Sequence, residues 1–171
     1  MFQDEYKFLI PTFIDNETLI ATNLLSDESV IYDIDNKSII KIFDSALNPL
    51  ANGYFYSVKR TNSGYDFTIF DRDFNISSTF VSETVGVPSI SGEKIVHLHA
   101  RPLSFTDVST QTTHEFTHFT AENTLVSAVN FNGVWLAYRF ETGIGAYNVY
   151  TDQRLSVMLS EDFSGLPIFF K

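Results

Sequence analysis

The run LVSAVNFNGVWLAYRF, from Leu125 to Phe140, decides the fold class. Asn132-Gly133 stands at its centre, a pair that accepts positive φ at both central positions of a tight hairpin turn. Folding the flanks about a two-residue turn opposes Phe131 to Val134, Val129 to Leu136, Ser127 to Tyr138 and Leu125 to Phe140. These residues share one almost wholly apolar face. The other face takes Asn130 with Trp135, Ala128 with Ala137, Val126 with Arg139 and Thr124 with Glu141. A one-residue slip would exchange the two faces, so the pattern holds the register. Trp135, on the mixed face, either covers a second layer or a neighbouring loop, or serves as a contact point for a partner.

The rest of the chain has the same character. Its 171 residues include 17 Phe and eight Tyr, and such side chains gain most on a pleated, half-buried surface. Asn, Asp, Gly and Pro cut the sequence into short apolar runs. Strands are expected at Lys7 to Phe13, Thr18 to Asn23, Val30 to Ile34, Ser38 to Phe43, Tyr54 to Lys59 and Tyr65 to Phe70. Others are expected at Lys94 to Arg101, Thr124 to Phe131, Val134 to Glu141, Tyr147 to Tyr150 and Leu155 to Leu159. Further hairpins are read about Asn62-Ser63-Gly64 and about Asp35-Asn36-Lys37. No segment shows a long helical stripe.

This spacing predicts one all-β domain over residues 1–171, an antiparallel β-sandwich or related barrel. IFDSALN at Ile42–Asn48 and IFDRDFN at Ile69–Asn75 resemble each other at an offset of 27 residues, which raises a repeat of the propeller kind. The period is not maintained elsewhere, and four blades of about 40 residues would nearly exhaust the chain. The propeller therefore ranks behind the sandwich.

Formal charge is −10, from 21 acidic and 11 basic residues, and the basic residues form no stripe. A nucleic-acid partner would meet the wrong field over most of the surface. The absence of cysteine removes disulfides and thiolate metal sites. Asp4 and Glu5 stand where a secretory signal would be basic, and Lys7 and Pro11 break the first apolar run. This leads to the expectation of a chain made without a cleavable export signal or already trimmed of one. No uncharged run approaches a membrane-spanning length, so membrane insertion is not expected.

His114, Glu115 and His118 match the two-histidine, one-glutamate pattern of zinc proteases, which needs a helix to bring both rings to one ion with the glutamate as base. The surrounding TDVSTQTTHEFTHFT is rich in β-branched threonine, which favours a strand. A strand puts Glu115 on the side opposite to His114 and His118, and Glu122 and Glu141 are poorly placed as a third ligand. A second metal arrangement would use His97 and His99 of the HLH element, joined by His114 or His118, to hold zinc or another divalent transition metal. The preferred reading assigns no catalytic residue and no cofactor. Asp71, Asp73 and Asn75 alternate as in a calcium loop, but Ile76 and Ser82 occupy its glycine and final acid positions, so they read as turn residues. Phosphate cradles and serine-nucleophile elbows are not recognised.

The expected role is a non-enzymatic structural or protein-interaction module in a larger assembly such as a virion, with protein subunits or a second copy as partner and carbohydrate as another. It places the chain in a virion or the cytoplasm ahead of a cell surface. Partner contacts are assigned to Trp135, Tyr54, Tyr56, Phe169 and Phe170, the last two with Leu166 and Ile168 near the chain end. The other function class is a metal-dependent hydrolase built on the histidines.

Overall fold

A computed structural model describes residues 9–23, 25–100, 102–116, 128–140 and 143–158. Its strands form four separate antiparallel sheets of four strands each, arranged as a four-bladed β-propeller. Blade 1 contains β1 (Leu9–Phe13), β2 (Thr18–Asn23), β3 (Glu28–Asp33) and β4 (Ser38–Phe43). Blade 2 contains β5 (Asn48–Pro49), β6 (Phe55–Thr61), β7 (Gly64–Phe70) and β8 (Ile76–Ser82). Blade 3 contains β9 (Val87–Pro88), β10 (Lys94–His97), β11 (Ser104–Asp107) and β12 (Thr112–Glu115). Blade 4 contains β13 (Ala128–Phe131), β14 (Trp135–Phe140), β15 (Gly143–Asn148) and β16 (Arg154–Met158).

The expected sandwich is therefore corrected to the propeller that ranked second. A sandwich of this size needs strands that cross between two facing sheets, whereas each sheet here is a sequential meander. First strands begin at Leu9, Asn48, Val87 and Ala128, a spacing of about 40 residues that suits one blade each. The 27-residue echo does not join equivalent positions. Ile42–Asn48 leaves β4 for the next blade, while Ile69–Asn75 ends β7 and turns within blade 2.

A truer repeat closes the third strand of every blade. Tyr32-Asp33, Phe70-Asp71, Thr106-Asp107 and Tyr147-Asn148 occupy the same place, and the Asx side chain then organises the turn to the fourth strand. Asp33 Oδ1 accepts the Asn36 N–H, Asp71 Oδ1 those of Asp73 and Asn75, and Asp107 Oδ1 those of Ser109 and Thr110. Asn148 Oδ1 accepts from Tyr150 and Thr151. Each turn also holds a residue in the left-handed region, Lys37, Phe74, Gln111 and Asp152. Blades 1 and 2 share a bulge just before the turn, at Ile31/Tyr32 and Ile69/Phe70.

Adjacent blades pack in different ways. Blades 1 and 2 meet over Ile20, Ile31, Phe43, Leu47, Phe55 and Phe70. The Phe43 and Phe70 rings meet edge-on at 5.3 Å, and Phe74 stacks on Phe55 at 5.2 Å, pairs worth about 0.5–1.5 kcal/mol each beyond burial. Blades 3 and 4 meet over Val96, Leu103, Phe116, Phe131, Leu136 and Tyr147. Between blades 2 and 3 the contact is largely polar. Thr84 Oγ1 donates to Thr106 Oγ1 at 3.2 Å, and the Gln111 side chain bonds the Glu83 N–H and the Val81 carbonyl.

The deciding hairpin forms with a changed register. Phe131 opposes Leu136, Asn130 opposes Ala137 and Val129 opposes Tyr138, two residues further along than a two-residue turn requires. Of the Asn132-Gly133 pair, Gly133 alone has positive φ, and the Asn132 carboxamide instead captures the Val134 and Trp135 N–H groups at 3.1 and 2.8 Å. A shift of two leaves every side chain on its expected face, so Phe131 and Leu136 still reach the core.

Candidate functional site: the axial cleft

In a four-stranded meander the first and third turns lie at one end of the blade and the second turn at the other. The first turns, after β1, β5, β9 and β13, converge at the centre of the ring. Ala51 N donates to Asn132 O at 2.6 Å, joining blades 2 and 4, and Ile90 N donates to Gly133 O at 3.0 Å, joining blades 3 and 4. Gly133, at φ +91°, lies where a β-carbon would stand 2.9 Å from Ile90 and 3.2 Å from Leu50. That crowding and the left-handed backbone both require glycine.

Beside this junction opens a cleft of about 560 Å³, walled by Ile14, Pro49, Leu50, Phe55, Val134 and Trp135, with Asn52, Asn130 and Asn132 at its polar edge. Phe55 and Phe131 are buried behind it, while Trp135 is half-buried. Asn52 is held in the left-handed region at the 3₁₀ turn Ala51–Gly53. Among the described residues, the side chains of Asn52 and Asn130 and the indole N–H of Trp135 make no hydrogen bond, and Asn132 uses its carbonyl oxygen alone. Among the described residues no ionisable side chain lines the cleft. Such a lining suits neutral or apolar groups.

The third turns of the blades flank the same face. Ile34 N bonds Glu17 O, Val108 N bonds Glu93 O, and the Tyr150 hydroxyl bonds Gly133 O. These third turns carry Asp33, Asp35, Asp71, Asp73, Asp107 and Asp152 against Lys37 and Arg72, and the Lys41 and Lys94 ammonium groups reach the Phe74 and Val149 carbonyls of the turns in blades 2 and 4. Asp15, Glu17 and Glu93 add to them from the first turns. Three of the third-turn carboxyls are held below the usual range. The Asn36 N–H acts on Asp33, the Asn75 N–H on Asp71 and the Ser109 hydroxyl on Asp107. Asp15 is lowered in the same way by the Glu17 N–H.

Of the residues expected to make partner contacts, Trp135 lines the cleft and Tyr54 follows its 3₁₀ turn, half-buried. Tyr56, on β6, is half-buried, and burial pushes its phenol up to about 12. Phe169 and Phe170, with Leu166 and Ile168, lie outside the described residues. The sequence reading missed Asn52, Asn130 and the convergence of the first turns, because strands as short as Asn48–Pro49 and Val87–Pro88 leave no periodic signal.

The histidines are dispersed. Thr112–Glu115 is a strand, not a helix, so His114 and Glu115 point to opposite sides, and the His114 ring lies over Phe105 at 5.4 Å. His118 lies outside the described residues. The strand expected to continue to Arg101 ends at His97, so His99 falls in a turn and the HLH pair is not on one strand face. Both nitrogens of His97 are engaged, Nδ1 with Val85 O at 3.0 Å and Nε2 with Thr106 Oγ1 at 2.7 Å. Among the described residues no three metal-ligating side chains gather. No helix among them is long and apolar enough to cross a membrane. Asp71 and Asp73 belong to the turn described above.

No family model and no curated protein matches this sequence. Similar solved structures include a chain of the Mitotic Checkpoint Complex, at 17% identity and a TM-score of 0.47 over 91% of this chain and 52% of that one. The Myceliophteria thermophila Cps50 (Swd1) β-propeller domain matches at 11% identity and 0.45 over 90% and 58%. The computationally designed Ika8 protein matches at 12% and 0.46 over 90% and 49%. The chain thus spans about half the length of these structures.

Proposed function

We propose that this protein is a non-enzymatic interaction module that holds a protein partner on the propeller face formed by the first and third turns of its blades. On this reading it works within a larger protein assembly, such as a virion, in the virion or the cytoplasm. The observation that supports this most is the axial cleft, where a half-buried indole and three carboxamides with unspent hydrogen-bonding groups stand among apolar walls from three blades. Buried, well-shaped pockets with an aromatic anchor are where interface energy concentrates. Among the described residues the lining holds no acid, base or nucleophile of the kind a hydrolase requires.

A photo-crosslinking amino acid placed at Asn52 samples this face, and one placed at Ser63, in the exposed turn between β6 and β7, samples the opposite face. Irradiation of the assembly that contains the chain is expected to give protein adducts at position 52 and none at 63. Adducts at 63 alone, or at neither position, contradict the proposal.

A further inference from the structure

Among the described residues the lining of the cleft is neutral, but the third turns at the same end of the blades are mostly acidic. We propose that it receives a segment of a partner protein in which an uncharged aliphatic or proline residue is flanked by lysine or arginine. This rests on the interaction reading above and names the partner's chemistry. Pro49, Leu50, Val134 and the Trp135 indole supply the apolar seat. The unspent groups of Asn52, Asn130 and the indole N–H suit the carbonyl groups of an extended backbone, whose own partners are lost when water is displaced.

Charge selects the flanks. The four third turns are built alike, yet the one in blade 4 uses Asn148 where the others use Asp33, Asp71 and Asp107. A neutral carboxamide makes the same turn, so the charge is not needed for the backbone geometry. What the carboxylates add is a field. They are half-exposed at the same end of the blades as the first turns that line the cleft, where they attract cationic side chains and repel acidic ones. A neutral oligosaccharide would use the amides and the indole but gain nothing from that field.

The test is selection of a phage-displayed random peptide library on the folded full chain. Affinities are then measured by polarisation of the labelled, selected peptides. Enriched sequences are expected to place Lys or Arg on both sides of an aliphatic or proline residue. Their affinity should fall roughly tenfold between low and physiological salt. It should fall about as far in the combined variant Asp33→Asn, Asp71→Asn and Asp107→Asn, and stay unchanged in Asp66→Asn, an exposed site on β7 outside these turns. Trp135→Ala should abolish binding and Trp135→Phe restore part of it, with both folds checked by thermal transition. Neutral or acidic peptides that bind at Trp135 without salt dependence overturn the basic-segment assignment while the interaction reading stands. A library that retains no peptide, or maltoheptaose shifting Trp135 emission in its place, overturns the assignment as well. If the cross-link at position 52 is also absent, the interaction reading falls with it.

Discussion

The junction of blades 2 and 3 and the axial cleft both gather polar side chains, and they differ in whether those groups are already satisfied. At the junction, Thr106 is 1% exposed and its hydroxyl is shared by His97, Thr84 and Thr113 at 2.7, 3.2 and 2.9 Å. At the cleft, Asn52, Asn130 and the Trp135 N–H stand open. A satisfied buried network fixes one arrangement of the chain, since breaking any member leaves others unpaired. An unsatisfied set in an open cleft costs the fold little and retains its capacity to bond something else. His97 and Thr106 thus tie blade 3 to the Thr84–Val85 connection from blade 2, and the proposed recognition surface lies at the axis.

The sharpest break in this contrast is Thr106→Val. It leaves the His97 ring nitrogen and two threonine hydroxyls without their shared partner and is expected to cost about 2–3 kcal/mol. Urea unfolding followed by Trp135 emission measures this. Ligand affinity of the folded fraction should not change. A loss below about 0.5 kcal/mol would mean that these bonds do not tie the junction.

A smaller effect is expected from the turn carboxylates. Asp33, Asp71 and Asp107 have folded-state pKa values below the ordinary 3.8, so their contribution to stability is complete above that value. It is lost as pH falls through the lowered folded-state values. The combined Asn variant does not titrate there. At pH 7 it should be modestly less stable than the natural chain, and the gap should narrow as acid is added below pH 3.8. A gap that widens on acidification contradicts the assignment of these groups.

Most long strands of blades 1 and 2 were readable because β-branched and aromatic runs lie between turn residues, as in Ser38–Phe43, or alternate with polar residues, as at Tyr65, Phe67 and Ile69, whereas the strand Gly143–Asn148 was expected only at Tyr147 to Tyr150. The all-β class followed from them. Blade architecture did not, for two physical reasons. The inner strands Asn48–Pro49 and Val87–Pro88 are too short for any periodicity and are fixed by packing around the axis. The repeat lies in an aromatic or threonine followed by Asp or Asn at the end of each third strand, whereas the IFD echo joins unlike positions. Ile76–Ser82 also went unread as a strand; it is an outer edge in which Ile76 and Val81 stay 65% and 53% exposed. Trp135 stood out in the sequence from its mixed face and lines the cleft, but the Asn52 and Asn130 amides beside it depend on turns distant in sequence.

Trp135 is the sole tryptophan, so the chain gives one indole N–H resonance in a proton–nitrogen NMR spectrum. Following that resonance together with the ring nitrogens of His97 during titration with a selected peptide tests both regions at once. The indole signal should move in proportion to binding while the His97 signals stay in place. Movement at His97 with an unmoved indole would contradict the assignment of recognition to the axis.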